Sequence, residues 1–97
     1  MENFGYVIAT KILVEAELPV LYAYRELPEN DQDSGWRFFS GIESKEYIND
    51  PENIAIYDVT TILSIDPSIR PLLEFPASCA FGRDDSGKSF QMWDASI

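Results

Sequence analysis

Short apolar runs alternate along this chain with polar segments that contain proline, glycine, asparagine or aspartate. Runs of this length are typical of β-strands and predict strands over residues 4–10, 20–25, 35–40, 54–57, 77–83 and 88–93. The strand at 54–57 is predicted to be buried, and the last two should form a hairpin with a turn at 84–87. Residues 11–17 fit a helix or a further strand, and Leu18-Pro19 favours a short helix or turn.

Short helices are predicted in the middle of the chain. Ser40 and Glu43 have the spacing of a capping box, which predicts a helix over residues 41–49. Asp58 is a predicted N-cap ahead of an apolar stripe with helical spacing. Asp66 is a second such cap, and the proline after it suits the first position of a helix.

The order of these elements predicts the fold class. Strands occupy both ends of the chain and short helices its middle, which is typical of an α+β fold with a largely antiparallel sheet. A chain of 97 residues is short for more than one domain, so residues 1–97 are predicted to form a single domain. Its 45% hydrophobic composition is enough for a core without disulfides.

One predicted strand concentrates bulky side chains between two glycines. The block consists of Gly35, Trp36, Arg37, Phe38, Phe39, Ser40 and Gly41. Trp36 and Phe38 share one face of the strand, and Arg37 and Phe39 share the other. Bulk on both faces predicts a central strand covered on both sides. Trp36 is predicted to pack in the core, with an exposed binding hot spot as the alternative.

Arg37 is the one charged residue inside this apolar strand. It is predicted to pair with an acid and so to tie the preceding loop, residues 27–33, to the sheet. The candidate acids are Glu26, Asp31 and Asp33. The alternative is that Arg37 anchors a ligand.

The charge of the chain bears on its partners. It carries 17 acidic and 7 basic residues, a net charge of −10. Phosphate binding depends on lysine and arginine, so nucleic acid is disfavoured. Between Glu26 and Asn53, eight acids stand against two bases, a net charge of −6. This distribution suits a basic protein partner, although many acidic proteins have no such partner.

The residues of the chain offer little support for a catalytic or metal-binding site. The chain has no histidine, which removes the commonest general base and metal ligand. Its single cysteine, Cys79, lies in an apolar strand, where a buried, inert thiol is expected. A protein that is not an enzyme, with no cofactor and no metal, is therefore predicted.

One motif match is rejected for structural reasons, and a second is incomplete. Residues 82–89 fit the phosphate-binding loop G-x-x-x-x-G-K-[ST]. A functional loop of this kind is followed by a helix, whereas residues 90–93 are predicted to form a strand. The acidic loop fits part of a calcium-binding loop centred on Gly35, yet the twelfth position is Gly41 and not glutamate. A solvated loop is therefore favoured, and a weak cation site stays open as the alternative.

The location is predicted from segments that the sequence lacks. No basic segment followed by a long apolar one stands at its start, so no signal peptide is predicted. No apolar run approaches the roughly 20 residues of a membrane helix. A lone cysteine cannot close a disulfide within the chain. A cytoplasmic location, away from membranes, is predicted.

Several blocks of the chain resemble a bacterial family. They include Tyr24-Arg25-Glu26, the block from Asp33 to Gly41, Asn49-Asp50-Pro51, Asp66-Pro67-Ser68-Ile69 and Pro71-Leu72-Leu73. From about Thr10 to Gly87 the chain is similar to a widespread small domain of unknown function that is assigned to the immunity proteins of polymorphic toxin systems.

The resemblance implies a cytoplasmic protein that binds a cognate toxin and blocks it without catalysis. Acidity suits this role, because many toxins that degrade nucleic acids are basic and charge-steered association is fast. The predicted partner-binding residues are Glu29, Asp31, Asp33, Glu43 and Glu46. Two other functions stay open: a regulatory interaction module, and a small-molecule binder or enzyme with a pocket beside Trp36 and Arg37. Self-association into a homo-oligomer also stays open.

Overall fold

Six strands form one sheet in the computed structural model, which describes residues 5–83 and 90–93. The strands are β1 (Tyr6–Thr10), β2 (Tyr22–Arg25), β3 (Asp33–Phe39), β4 (Ile54–Asp58), β5 (Cys79–Gly82) and β6 (Gln91–Trp93). Their order across the sheet is β4-β1-β3-β2-β5-β6. β1 and β3 are parallel, and the other neighbouring pairs among these strands are antiparallel. The predicted α+β fold with a largely antiparallel sheet is confirmed.

Short helices connect the strands. They are α1 (Lys11–Glu15), α2 (Lys45–Asn49) and α3 (Val59–Ile65), with 3₁₀ helices at Pro51–Asn53 and Pro67–Glu74. The ambiguous segment after β1 is therefore a helix. Asp58 accepts the N–H of Thr60 at 3.0 Å, and Asp66 accepts the N–H of Ser68 at 3.1 Å, so both predicted caps are present. Within the described ranges, none of the helices has the length and apolar run that crossing a bilayer requires.

The capping-box helix begins later than predicted, at Lys45, and that part of the prediction is wrong. Glu43 does accept the N–H of Ser40 at 2.9 Å. Gly41, however, has a φ of 91°, which a right-handed helix excludes. The side chain of Ser44 caps the helix instead.

The ends of several strands also differ from the predictions. β2 begins at Tyr22 instead of residue 20, and β4 extends one residue further, to Asp58. β3 begins at Asp33, inside the segment predicted to be a loop.

β5 begins only at Cys79, because Ser78 has a φ of 71° that interrupts the extended backbone. β6 begins at Gln91, and the predicted positions 88 and 89 lie outside the described residues. Its antiparallel pairing with β5 confirms the hairpin, whose predicted turn at residues 84–87 lies outside the described residues.

One face of the sheet carries the hydrophobic core. Alternate strand residues contribute to it, namely Val7, Ala9, Ala23, Trp36, Phe38 and Phe81. The helices α1 and α3 and the 3₁₀ helix at Pro67–Glu74 cover this face with Leu13, Ile62, Ile69, Leu72 and Leu73. Trp36 and Phe38 are fully buried, and their rings stack with centroids 5.8 Å apart. Trp36 therefore packs in the core and is not an exposed hot spot.

The opposite face of the sheet is called the open face below. The strand register defines it, because Ile8 pairs with both Ile56 of β4 and Arg37 of β3. β3 is central in the sheet, as predicted. The described helices that supply buried side chains pack on the core face of the sheet, opposite the open face. Both faces of β3 are nonetheless covered, as predicted, because six of its seven residues are buried. On the open face the carboxylates of Asp33 and Glu26 hold Arg37, whose side chain is almost fully buried.

β3 contains a bulge that brings distant residues together. Tyr6 of β1 pairs with Asp33 and Ile8 pairs with Arg37, so two residues along β1 span four residues along β3. The extra residues of β3 are accommodated by Gly35, whose φ of 89° is the left-handed conformation typical of a bulge. A β-carbon at Gly35 would lie 2.3 Å from the carbonyl oxygen of Glu26, so only glycine fits there.

Candidate functional site

Arg37 is held on the open face by two carboxylates. Its Nη1 and Nη2 donate to the two carboxylate oxygens of Asp33, each at 2.9 Å, and its Nε donates to Glu26 at 2.6 Å. The Arg37 side chain is 3% exposed and that of Asp33 is 0% exposed, so water is excluded from this bidentate pair. Hydrogen bonds within the pair hold the pKa of Asp33 well below its usual range and raise the pKa of Arg37.

Asp33 also organises the acidic loop before β3. Its carboxylate accepts the N–H of Glu29 at 2.9 Å and the N–H of Gly35 at 2.8 Å. The main chain of the loop is joined to β1, because the N–H of Tyr6 donates to the carbonyl of Gln32 at 2.7 Å. These contacts tie the acidic loop to the sheet and fix its shape.

The five acids predicted to bind a partner occupy different environments. Glu29, Asp31 and Glu46 are exposed, whereas Asp33 is buried and Glu43 is partly buried. The first two belong to the acidic loop, before β3. Glu43 and Glu46 follow β3 and lie beyond its other end. The structure therefore places these acids at the two ends of a strand and does not gather them in one cluster.

Glu43 uses its carboxylate inside the protein. One oxygen accepts hydrogen bonds from the hydroxyl of Thr10 at 2.6 Å and from the N–H and the hydroxyl of Ser40, both at 2.9 Å. The other accepts the N–H of Gly41 at 2.9 Å. Burial opposes ionisation of Glu43, but these hydrogen bonds outweigh it and keep its pKa below the usual value. Glu43 thus joins the ends of β1 and β3.

Three aromatic rings lie side by side on the open face. Tyr24 and Phe39 stack with centroids 5.9 Å apart, and Tyr22 lies 5.8 Å from Tyr24 and 5.9 Å from Phe39. All three residues are partly exposed. Burial and the nearby charge of Glu26 raise the pKa of the Tyr24 hydroxyl, which stays protonated at neutral pH. Aromatic surfaces of this kind are enriched at protein interfaces.

A cleft of about 440 Å³ lies where the acidic loop meets β4, the strand at one end of the described sheet. Its walls include Tyr6 of β1, Asp31 of the loop, and Ile56 and Asp58 of β4. Because Tyr6, Ile56 and Asp58 alternate onto the open face, the cleft is a corner of that face. Ile56 is 61% exposed. Hydrogen bonds from Thr60 lower the pKa of Asp58 and keep its carboxylate ionised.

Of the cleft residues, only Asp31 is among the predicted site residues; Tyr6, Ile56 and Asp58 are not. Ile56 belongs to the strand predicted to be buried, and that prediction is wrong, since β4 has no fully buried residue. Asp58 was predicted only as a helix cap, a role that it does fill. The signal that could have revealed them is the alternation of Ile54, Ile56 and Asp58, which places a charged residue on the same face as two isoleucines.

The described residues offer little for catalysis, metals or cofactors. Residues 5–83 and 90–93 contain no group of three or more acidic, cysteine or histidine side chains placed to hold a metal ion. Cys79 is buried, and burial raises the pKa of its thiol, which disfavours the reactive thiolate. Trp36 and Arg37 are 0% and 3% exposed, so neither presents a surface to a small molecule.

The rejected phosphate-loop match falls mainly outside the described residues, which include only its first two positions, Gly82 and Arg83. Arg83 donates to the carbonyl of Val20 at 3.0 Å and to Asp66 at 2.6 Å. The element that follows the match is the strand β6, and a nucleotide site of this type needs a helix there.

A family model described as the immunity protein Imm33 domain matches residues 7–94, a range that contains all the helices and nearly all of the sheet described above. No curated protein and no solved structure shows a significant match to the chain.

Proposed function

The chain belongs to the Imm33 immunity protein family, and we propose that it is a non-catalytic cytoplasmic protein that neutralises a cognate bacterial toxin through an acidic surface. The observation that carries the proposal is the family match over residues 7–94. An immunity protein acts by binding a protein toxin, so the proposed partner is a protein.

The charge of the chain supports an acidic binding surface. Its net charge of −10 favours fast, steered association with a basic toxin domain. Of the predicted binding residues, Glu29, Asp31 and Glu46 present their side chains to solvent. Glu29 and Asp31 lie on a loop that Asp33 already holds in one conformation, so binding would order few additional groups. Asp33 and Glu43 then act by shaping the surface on which the exposed acids lie.

Growth protection is the direct test of the toxin-neutralising role. For the test, a toxin domain found encoded next to the gene of this chain is expressed from an inducible promoter, alone or together with the chain. Toxin alone should lower colony counts, and co-expression should restore them. Continued killing in the presence of abundant, correctly folded chain would overturn the proposal and favour the regulatory interaction module.

The acidic surface has its own test. Affinity for the purified toxin domain is measured at low and high salt, since the distance over which exposed charges attract each other falls to about 10 Å at 0.1 M salt and shortens further as salt rises. Wild type should lose affinity as salt rises, and the variant Glu29→Gln/Asp31→Asn/Glu46→Gln should bind more weakly at low salt and show a smaller salt dependence. A salt dependence that stays unchanged in this variant would exclude these acids.

A further inference from the structure

We propose that the toxin docks on the corner of the open face formed by Tyr6, Asp31, Ile56 and Asp58, and that this acidic cleft receives a lysine or arginine side chain of the toxin. The inference rests on the proposed function and adds the position and chemistry of the docking site. Ile56 and Asp58 are not among the five partner-binding residues predicted from the sequence.

Ile56 differs from the other exposed apolar residues of the described chain. Those residues are Leu27, Ile42, Phe75 and Met92. Single exposed apolar side chains are common and need no explanation. Ile56, however, lies in the wall of a cleft and pairs directly with Ile8, which is itself partly exposed. Together they form a continuous apolar surface beside charged groups, as at the centre of a protein interface with a polar rim.

The charge of the cleft selects a basic occupant. Two carboxylates, those of Asp31 and Asp58, line it, and the described lining contains no lysine or arginine. The Asp33 carboxylate nearby is different, because Arg37 already neutralises it inside the protein. A toxin cation that enters the cleft would therefore meet two charges that are not paired with an arginine of the cleft itself.

The ring of Tyr6 adds a second feature that suits a cation. Its hydroxyl accepts a hydrogen bond from the Asn30 side chain at 3.1 Å, which fixes the ring beside the acidic loop. The faces of aromatic rings attract ammonium and guanidinium groups. The volume of about 440 Å³ lies within the range of roughly 300–1,000 Å³ that holds whole ligands, so a long basic side chain fits.

The cleft is also built on fixed elements. β1 and β4 are paired over five positions, from Tyr6↔Asp58 to Thr10↔Ile54. The acidic loop is held to β1 by the hydrogen bond from Tyr6 to Gln32. A site whose groups are already in place loses less freedom on binding. A second copy of the chain is a poorer occupant, because a symmetric contact would bring the same carboxylates together.

Removal of the two charges tests the basic occupant. In Asp31→Asn/Asp58→Asn the asparagine at 58 keeps a side-chain oxygen for the helix cap, so the fold of α3 is retained. The dissociation constant for the purified toxin domain, measured by calorimetry, should rise by roughly tenfold or more. The matched control is Glu52→Gln/Glu74→Gln, which removes two exposed charges elsewhere and should change the dissociation constant less than about threefold.

A steric pair of variants tests the position of the site independently of the charge of the partner. Ile56→Arg places a large cation in the cleft, whereas Ile42→Arg makes the same change at a residue of equal exposure, 63% against 61%. Ile56→Arg should weaken binding by about a hundredfold, since it blocks the cleft and repels a basic partner. Ile42→Arg should bind as wild type, and both should unfold at the same urea concentration as wild type.

The outcomes separate this inference from the proposed function. If wild type binds and protects, and both cleft variants bind equally well, the docking site is wrong while the immunity role stands. If Ile56→Arg abolishes binding but the double asparagine variant does not, the position is right and the basic occupant is wrong. Self-association of wild type that Ile56→Arg abolishes would assign the corner to a second copy and overturn the inference. Failure of wild type to bind or protect overturns the immunity role and the docking site together.

Discussion

Arg37 contacts both carboxylate oxygens of Asp33, which precedes it by four residues in the same strand. In a regular strand, residues this far apart are about 13 Å distant, too far for a bidentate pair. The bulge of β3 at Gly35 removes that separation. The glycine, the aspartate and the arginine of this block therefore form one structural device, which fixes the acidic loop to the sheet.

Loss of Asp33 should destabilise the protein strongly. Asp33→Ala leaves the Arg37 charge without its main partner in a site that is almost closed to water. Breaking a buried pair in this way costs about 3–5 kcal/mol of the free energy of unfolding, measured by urea denaturation. Asp31→Ala, two residues earlier and exposed, should change it by less than about 0.5 kcal/mol. Equal effects of the two substitutions would contradict the role assigned to the pair.

The pH dependence of stability should report the same pair. Hydrogen bonds from Arg37 lower the pKa of Asp33 in the folded state, whereas in the unfolded chain it is about 3.9. Below that value the unfolded state takes up a proton that the folded state does not, so acid favours unfolding. The contribution of Asp33 is therefore fully present at neutral pH, and it is lost as the pH falls through the folded-state pKa.

Urea midpoints at about pH 7, 5, 4 and 3 provide the measurement for this effect. Wild type should lose stability steeply in the acidic part of the series. Asp33→Asn should start from a lower stability and lose less of it on acidification, because the group that binds the extra proton is absent. The pKa values of Glu43 and Asp66 are also lowered in the folded state, so the stability of the variant still falls to some extent as the pH is lowered. Parallel curves for the two proteins would show that Asp33 does not contribute.

Gly35 and Gly41 should differ in their tolerance of alanine. Both have a positive φ, 89° and 91°, and this alone costs a non-glycine residue about 1–3 kcal/mol. At Gly35 the new β-carbon also meets the carbonyl oxygen of Glu26 at 2.3 Å, which is backbone and cannot easily move. At Gly41 it meets the Leu21 side chain at 3.2 Å. Urea denaturation should therefore show a clearly larger loss for Gly35→Ala than for Gly41→Ala.

Glu43 should prove to be a structural residue. Glu43→Ala removes the acceptor for Thr10, Ser40 and Gly41 and leaves the buried Thr10 hydroxyl without this partner. A loss of about 1–3 kcal/mol in the free energy of unfolding is expected. Glu46→Ala, three residues later and exposed, should be nearly neutral to stability. If Glu43→Ala leaves stability unchanged, the carboxylate is free to serve a partner directly.

Local chemistry made several elements predictable. Asp58 and Asp66 are found as caps because an N-cap needs only a short side-chain acceptor ahead of a free N–H. The partner of Arg37 could be narrowed to three acids, of which Asp33 and Glu26 are the observed ones. Side chains alternate between the two faces of a strand, so the sequence alone places Trp36 and Phe38 on one face and Arg37 on the other.

Long-range geometry explains what the sequence did not reveal. The capping-box spacing of Ser40 and Glu43 predicts a helix start. In the structure Glu43 also accepts a hydrogen bond from Thr10, 33 positions earlier, and the backbone of Gly41 is not helical. The cleft between Asp31 and Asp58 depends on the insertion of β1 between β3 and β4. That pairing joins segments far apart in the chain, and no local pattern encodes it.

The position of β1 has a consequence for the order in which the protein assembles. β1 comes first in the chain, but its neighbours β3 and β4 come from the middle. The contacts of β1 thus close long loops, which is a slow step in folding. On the ribosome, β1 must wait first for β3 and then for β4 to emerge before both of its edges are paired. The acidic cleft, which needs β1, β4 and the loop at once, can exist only after that step, so a nascent chain acquires this surface late.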